Sequence, residues 1–195
     1  MFKAQNILQK IIDKIQSIYP LQPIDLQLLT SAMERVVLPK NHLIISAEKV
    51  ERYIYIIEKW IARAYNNTDK QQTTFWFGEE TDFILSFNSY INQQPGYENI
   101  ALLEDSILHR IANNTLQLLY NSNVNLANWG RKLAELELLK TEKRLINKQF
   151  KTATERYQDL ISETPSLIQR VQLTHIASYL GVSPVTLSRI RAEIK

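Results

Sequence analysis

The spacing of apolar residues changes twice along this 195-residue chain, and no other feature limits its possible folds so strongly. Over residues 4–18, Ile7, Leu8, Ile11, Ile12 and Ile15 recur in steps that place them on one broad helical face. A second helix is expected over 23–33, opened by Pro23. From Val36 the pattern shortens. VVLPKNHLIIS, ERYIYIIEKWIARAYN and QQTTFWFGEETDFILS are rich in β-branched and aromatic residues and are broken by polar clusters. Alternation within YIYIIEKWIARAY is imperfect, as expected for strands covered on both faces. NNTDK, at 66–70, reads as a turn. YENIALLEDSILHRI, at 97–111, adds two apolar runs around Glu104-Asp105. Residues 36–111 are therefore expected to form an antiparallel sandwich or barrel of short strands.

Helical spacing returns near Asn113. NNTLQLLYNSN reads as a short helix with asparagine at its start, followed by a long helix over 123–147. Apolar positions of the long helix include Leu126, Trp129, Leu133, Leu136, Leu139 and Ile146. About 25 helical residues span ~37 Å, more than one small domain covers. A second copy of the helix is the economical cover. It predicts a parallel homodimer with Trp129, Leu133, Leu136, Leu139 and Ile146 at the interface. Packing on the chain's own sheet is the competing use of the same face. Phe150, Ala153, Tyr157 and Leu160 mark a further helix, ended by Glu163-Thr164-Pro165.

The last stretch, LTHIASYLGVSPVTLSRIRAEIK, holds one of only four glycines. Ile176, Ala177 and Leu180 make one helical face, and Gly181 follows where a helix ends by entering the left-handed region. Ser183-Pro184 reads as an N-cap and a first helical residue. Leu187 and Ile190 continue a buried face. Helix, tight turn and helix with small Ala177 at the close approach is a helix-turn-helix layout, whose second helix enters the DNA major groove. An ordinary helical hairpin shares some of these signals, but six agreeing positions favour the DNA-binding layout. Ser183, Val185, Thr186, Ser188, Arg189 and Arg191 are the candidate DNA-binding residues. Ala192 shares their outward side.

Composition narrows the function classes. The chain has no cysteine, which removes disulfides, thiolate zinc sites and cysteine-ligated clusters. His42, His109 and His175 are scattered, so no metal or other cofactor is expected. Glu79-Glu80 and Glu104-Asp105 flank turns and read as solvated surface rather than acid–base pairs. No phosphate loop, metalloprotease helix or nucleophile elbow occurs, so an enzyme is not expected. No apolar run approaches the ~20 residues of a membrane span, and the N-terminus lacks a signal-peptide core, so a cytoplasmic protein is expected. Residues 1–130 carry 11 Lys and Arg against 13 Asp and Glu, whereas residues 131–195 carry 12 against 7. A basic C-terminal part fits contact with nucleic acid there.

The element order, together with ATERYQDLISETPSLIQRVQLTHIASYLGVSPVTLSRIR at 153–191, resembles the Crp/Fnr family of bacterial transcription regulators. TDFILSFNSYI, 81–91, and IALLEDSIL, 100–108, resemble the late β-roll of a cyclic-nucleotide-binding-like domain. The resemblance implies an α+β chain. An N-terminal antiparallel β-roll with flanking helices, a cyclic-nucleotide-binding-like sensor domain, would occupy 1–122, a dimerisation helix 123–147 and a helical helix-turn-helix domain 148–195. It implies a palindromic double-stranded DNA operator, contact with RNA polymerase, and room for an unidentified small-molecule effector. Thr186 resembles a phosphate contact and Arg189 the guanine reader. Val185 suits a thymine methyl, and Arg191 suits either phosphate or a salt bridge with a neighbouring acid.

Departures from the family pattern point away from cyclic AMP as the effector. Leu85-Ser86 stand where the family's Gly-Glu pair would bind ribose. The phosphate segment reads NQQPGYEN, 92–99, with Glu98 in place of a cation. No arginine lies between Arg63 and Arg110, and Lys70 is the only lysine there. Trp60 and Lys49 occupy turn positions where the family has glycine. A rival class is a ligand-sensing or protein-interaction module whose helix-turn-helix no longer reads DNA.

Overall fold

A computed structural model of the chain describes residues 2–68 and 71–194, with side chains from Gln9 onward. Contacts divide it into two compact units, Met1–Arg63 with Phe77–Glu137, and Ala64–Trp76 with Leu138–Lys195. The division falls inside the long helix rather than at its ends, and the second unit takes in a segment from the middle of the strand region. These limits differ from the three consecutive segments read from the sequence.

The first unit opens with α1 (Phe2–Ile18) and α2 (Pro23–Ser31). Ile11, Ile15 and Ile18 are buried along α1, as the helical spacing requires; the side chains of Ile7 and Leu8 lie outside the described residues. The strands follow as β1 (Glu34–Leu38), β2 (Leu43–Ile45), β3 (Tyr53–Lys59), β4 (Ala62–Asn67), β5 (Gln72–Gly78), β6 (Phe83–Ile84), β7 (Asn99–Leu102) and β8 (Ser106–Ala112). Among the described residues they form two four-stranded sheets, β1-β8-β3-β6 and β2-β7-β4-β5. In the first sheet Val36 pairs with Leu108, Tyr55 with Arg110 and Ile56 with Phe83, all antiparallel. The centre of β3 is buried on both faces, which explains its imperfect alternation. Asp69 and Lys70, from the expected NNTDK turn, lie outside the described residues; Thr68 N–H donates to Gln71 O at 2.9 Å beside them.

Two turns lack the expected glycine and solve the problem differently. Residues 46–49 close by a bond from Lys49 N–H to Ser46 O, 3.1 Å, and Lys49 needs no positive φ. Trp60 keeps the left-handed backbone at φ 88°, a conformation costly for a bulky residue. Its N–H donates to Glu80 Oε1 at 2.8 Å, and Lys59 Nζ lies 4.4 Å over its ring. Glu80 is thus an anchor for the turn rather than idle surface charge. Asp105 has a similar use, accepting from Lys40 N–H at 2.8 Å.

α3 (Phe87–Asn92), α4 (Asn113–Ser122) and α5 (Val124–Phe150) complete the helices that touch or enter this unit. α3 interrupts a stretch that reads as strand, because Ser86 caps a helical turn by accepting from Ser89 N–H. The cap of α4 is Ala112, not asparagine. Asn113 instead donates Nδ2 to Glu51 O at 3.2 Å. One core packs Ile11, Ile15, Leu29, Ile54, Ile56, Phe83, Ile111, Leu116, Leu126, Trp129 and Leu133 together.

That core corrects the expected dimer seam. Trp129 is 2% exposed within a single chain, its ring meets Phe83 at 5.8 Å, and its Nε1 donates to Ile15 O at 3.0 Å. Leu133 is also buried there, and Leu136 packs against the same cluster. Trp129 and Leu133 therefore pack on their own sheet, and a dimer seam is better proposed from the exposed residues of the helix. Leu139 and Ile146 are exposed, together with Leu138, Leu145 and Phe150. At 3.6 residues per turn, this second strip lies about 140° around the helix from the first. One apparent seam is two faces.

An ion pair and a histidine contact link β1, β3 and β8 across the sheet. Arg35 grips the Glu58 carboxylate with two bonds, Nε to Oε2 at 2.8 Å and Nη2 to Oε1 at 3.2 Å. His109 Nε2 lies 2.8 Å from Glu58 Oε2. Burial pushes the Glu58 carboxyl up, but the bonds to Arg35 and His109 outweigh it and hold the group below the ordinary carboxylate range.

The second unit contains the end of α5 with α6 (Ala153–Glu163), α7 (Pro165–Arg170), α8 (Leu173–Leu180) and α9 (Pro184–Glu193). Thr152 and Glu155 start α6 with a reciprocal capping box. Phe150 ends α5 and is exposed instead of opening the next helix. Thr164-Pro165 starts α7, a helix the sequence reading did not separate. Tyr157, Leu160, Leu167, Val171, Ile176, Ala177, Leu180, Leu187 and Ile190 are buried.

Candidate nucleic-acid interface

α8 stops because its residues run out of helical partners at Gly181, which adopts φ 70°. A Cβ at Gly181 would meet no atom within 4 Å, so the demand for glycine is conformational and not steric. Gly181 N–H donates to Ser178 O at 3.1 Å and Val182 N–H to Ala177 O at 3.0 Å, closing the helix end. Arg156, reaching from α6, donates Nη2 to Leu180 O at 2.7 Å and satisfies another terminal carbonyl. Two residues on, Ser183 Oγ accepts from Thr186 N–H at 3.0 Å, with Pro184 at the first helical position. Each boundary of the turn is thus fixed by a hydrogen bond.

Leu187 and Ile190 turn inward, and α9 packs on α8. Ser183, Val185, Thr186, Ser188, Arg189 and Arg191 are all exposed, as is Ala192. Their states differ. Ser183 Oγ serves the cap and also lies 2.9 Å from Thr186 Oγ1. Ser188 Oγ donates to Pro184 O at 3.0 Å, which leaves its lone pairs as acceptors. Val185 is 63% exposed, an apolar residue at the start of a polar strip. Arg189 and Arg191 enter no salt bridge or hydrogen bond among the described residues, so both guanidinium groups face solvent with their donors open. The neighbouring-acid alternative for Arg191 is not used there.

Two supporting contacts left no mark in the sequence. Arg156 lies in the first turn of α6, and its role depends on Leu180, 24 positions away. The exposed pair Lys143 and Glu163, 2.7 Å apart, ties α5 to α6. The Glu163 bond raises the Lys143 ammonium above its ordinary value. Burial likewise pushes the Tyr179 phenol up on α8.

The segment of the first unit that resembles the family's nucleotide site is occupied by the chain's own side chains. Ser86 caps α3 and offers no carboxylate to a ribose. Glu98 is 6% exposed and accepts from Tyr97 N–H at 3.0 Å. Its carboxylate lies under Gly96, where an added Cβ would come within 2.6 Å of Oε1 and 2.5 Å of Ser86 Oγ. A side chain at this position would have to displace the ends of the Glu98 and Ser86 side chains. Among the described residues, no group of three His, Cys, Asp or Glu could hold a metal ion, and no helix is long and apolar enough to cross a membrane.

A two-sheet roll, a long helix and a terminal helix-turn-helix together make the fold of the Crp/Fnr family of transcription regulators. Neither family models nor curated protein sequences match the chain. Solved structures do. FixK2 from Bradyrhizobium japonicum matches with TM-score 0.69 and 17% identity, over 83% of this chain and 84% of that one. A Crp/Fnr-family transcriptional regulator from Eubacterium rectale gives 0.68 and 15%, over 89% and 85%. The c-di-GMP-responsive global regulator CLP of Xanthomonas campestris gives 0.67 and 15%, over 89% and 91%. What is shared at these identities is the backbone plan.

Proposed function

We propose that this chain is a homodimeric, sequence-specific DNA-binding transcription regulator that works in the cytoplasm without control by cyclic AMP. The observation that carries the reading is the exposed face of α9, where Arg189 and Arg191 hold open donors beside Thr186. A capped, glycine-terminated turn presents that face, and arginine on such a helix bonds guanine O6 and N7 together. Two-fold symmetry would set two such helices one DNA turn apart, ~34 Å, and call for a palindromic operator. Independence from cyclic nucleotide is supported by Glu98. A buried acidic side chain stands in the segment that resembles the phosphate site, where a cyclic phosphate needs a positive partner. Contact with RNA polymerase belongs to the same reading.

Selection of bound DNA from a random pool, with and without cyclic AMP, tests this. One palindromic motif enriched equally in both arms is expected. Enrichment only with cyclic AMP would overturn the account of the effector segment. No enrichment in either arm would favour a protein-interaction module, for which the exposed Val185 is the best support.

A further inference from the structure

Among the described residues β5 ends its sheet in the order β2-β7-β4-β5, so one side of its backbone pairs with no described strand. Exposed edges of this kind are normally covered or blunted. Here a serine hydroxyl covers part of it. Ser178, in α8, accepts from Thr74 N–H at 2.9 Å and donates to Gln72 O at 3.0 Å. Residues two apart in a strand point their N–H and C=O groups to the same side, and a hydroxyl alone serves both with one atom. Thr74 is 2% exposed, so the contact is dry. All three residues belong to the second compact unit.

The other end of Ser178 is equally committed. Its carbonyl accepts from Gly181 N–H at 3.1 Å, the bond that closes α8 before the turn. Side chain and main chain of one residue therefore link the β4–β5 hairpin to the turn that aims α9. Ala177, beside it, is fully buried in the same unit. The geometry points to Ser178 as a positioning residue for DNA recognition, with hairpin residues 64–76 as the fixed point against which α8 and α9 are held. Ser178 touches no DNA in this account; it acts through the angle of the reading helix. This rests on the DNA-binding reading above.

The test uses the whole 195-residue chain with Ser178→Ala and Ser178→Thr. Amide hydrogen exchange is followed at Thr74, and affinity is measured for the operator selected as above. The net value of one intramolecular hydrogen bond corresponds to about tenfold, so Ser178→Ala should speed Thr74 exchange by about that factor. Operator affinity should fall severalfold, with the ratio of operator to random DNA falling alongside it. Ser178→Thr keeps the hydroxyl and should restore both. Unchanged Thr74 exchange would show that the anchor does not exist. Faster exchange with unchanged affinity and specificity ratio would reduce Ser178 to an edge cover and overturn the positioning role. A wild-type chain that binds no DNA would overturn the underlying reading instead, and Thr74 exchange would still report whether the anchor forms.

Discussion

Arg189 and Arg191 are two residues apart and both open to solvent, and the proposed DNA reading gives them different work. Arg189 shares an outward strip with Val185 and Ala192, close to the capped start of α9. Arg191 stands near the last turn. Arg189→Ala should cost about 1–3 kcal/mol of discrimination and flatten base preference at one position in each half-site. Arg191→Ala should weaken all sequences alike and lower the salt slope by about one unit. Binding curves against the selected operator and a scrambled duplex, at several salt concentrations, separate the two. Loss of preference in the Arg191 variant with none in the Arg189 variant would reverse the assignment. Glu58 supports a different expectation. Its folded pKa is lowered from the ordinary 4.5, so its stabilisation is complete above about that pH and drains as pH falls through the lower folded value. Glu58→Gln should lower stability by about 1.5–3 kcal/mol at pH 7, the worth of bonds to charged groups. The gap to wild type should narrow toward pH 3. Urea unfolding across that range checks it, and a gap independent of pH would remove Glu58 from the acid response.

At the scale of elements, legibility followed the range of the forces involved. α8, Gly181 and α9 were readable because their causes are local: an apolar face, a left-handed residue, a cap and a proline. The strand region was readable as strands, but α3 was not, since its cap needs Ser86 and Ser89 to act within an otherwise apolar stretch. The serines and threonines that anchor turns and edges looked alike in the sequence. Ser183 could be assigned from the proline beside it, whereas Ser178 has no such neighbour and its partners lie more than 100 positions back. In α5, steps of three and four suggested one seam. Burial separates Trp129 and Leu133 from Leu139 and Ile146, a difference that periodicity alone does not carry over seven turns. At Trp60 the expected glycine is missing while the glycine-like backbone remains, because a carboxylate from another turn holds it.

For the whole molecule, the corrected strip on α5 changes which substitutions should dissociate a dimer. Leu139→Glu with Ile146→Glu places charges in the exposed apolar strip, each costly to bury against a second copy. Sedimentation should then show monomer with the fold intact by circular dichroism. Trp129→Ala should instead destabilise the chain by about 3–5 kcal/mol at any protein concentration, since it opens the internal core. A dimer that survives the double charge change would place the interface elsewhere. The Ser178 contact also has a consequence for the order in which the chain is made. Thr74 leaves the ribosome 104 residues before the serine that covers it. At 5–20 residues per second that is about 5–20 s, during which the nascent β5 edge is open to other chains. The second compact unit is therefore not built from consecutive residues alone. Cutting the coding sequence before residue 138 separates it from a piece of itself, and any graft of the last helices onto another protein must bring residues 64–76 as well.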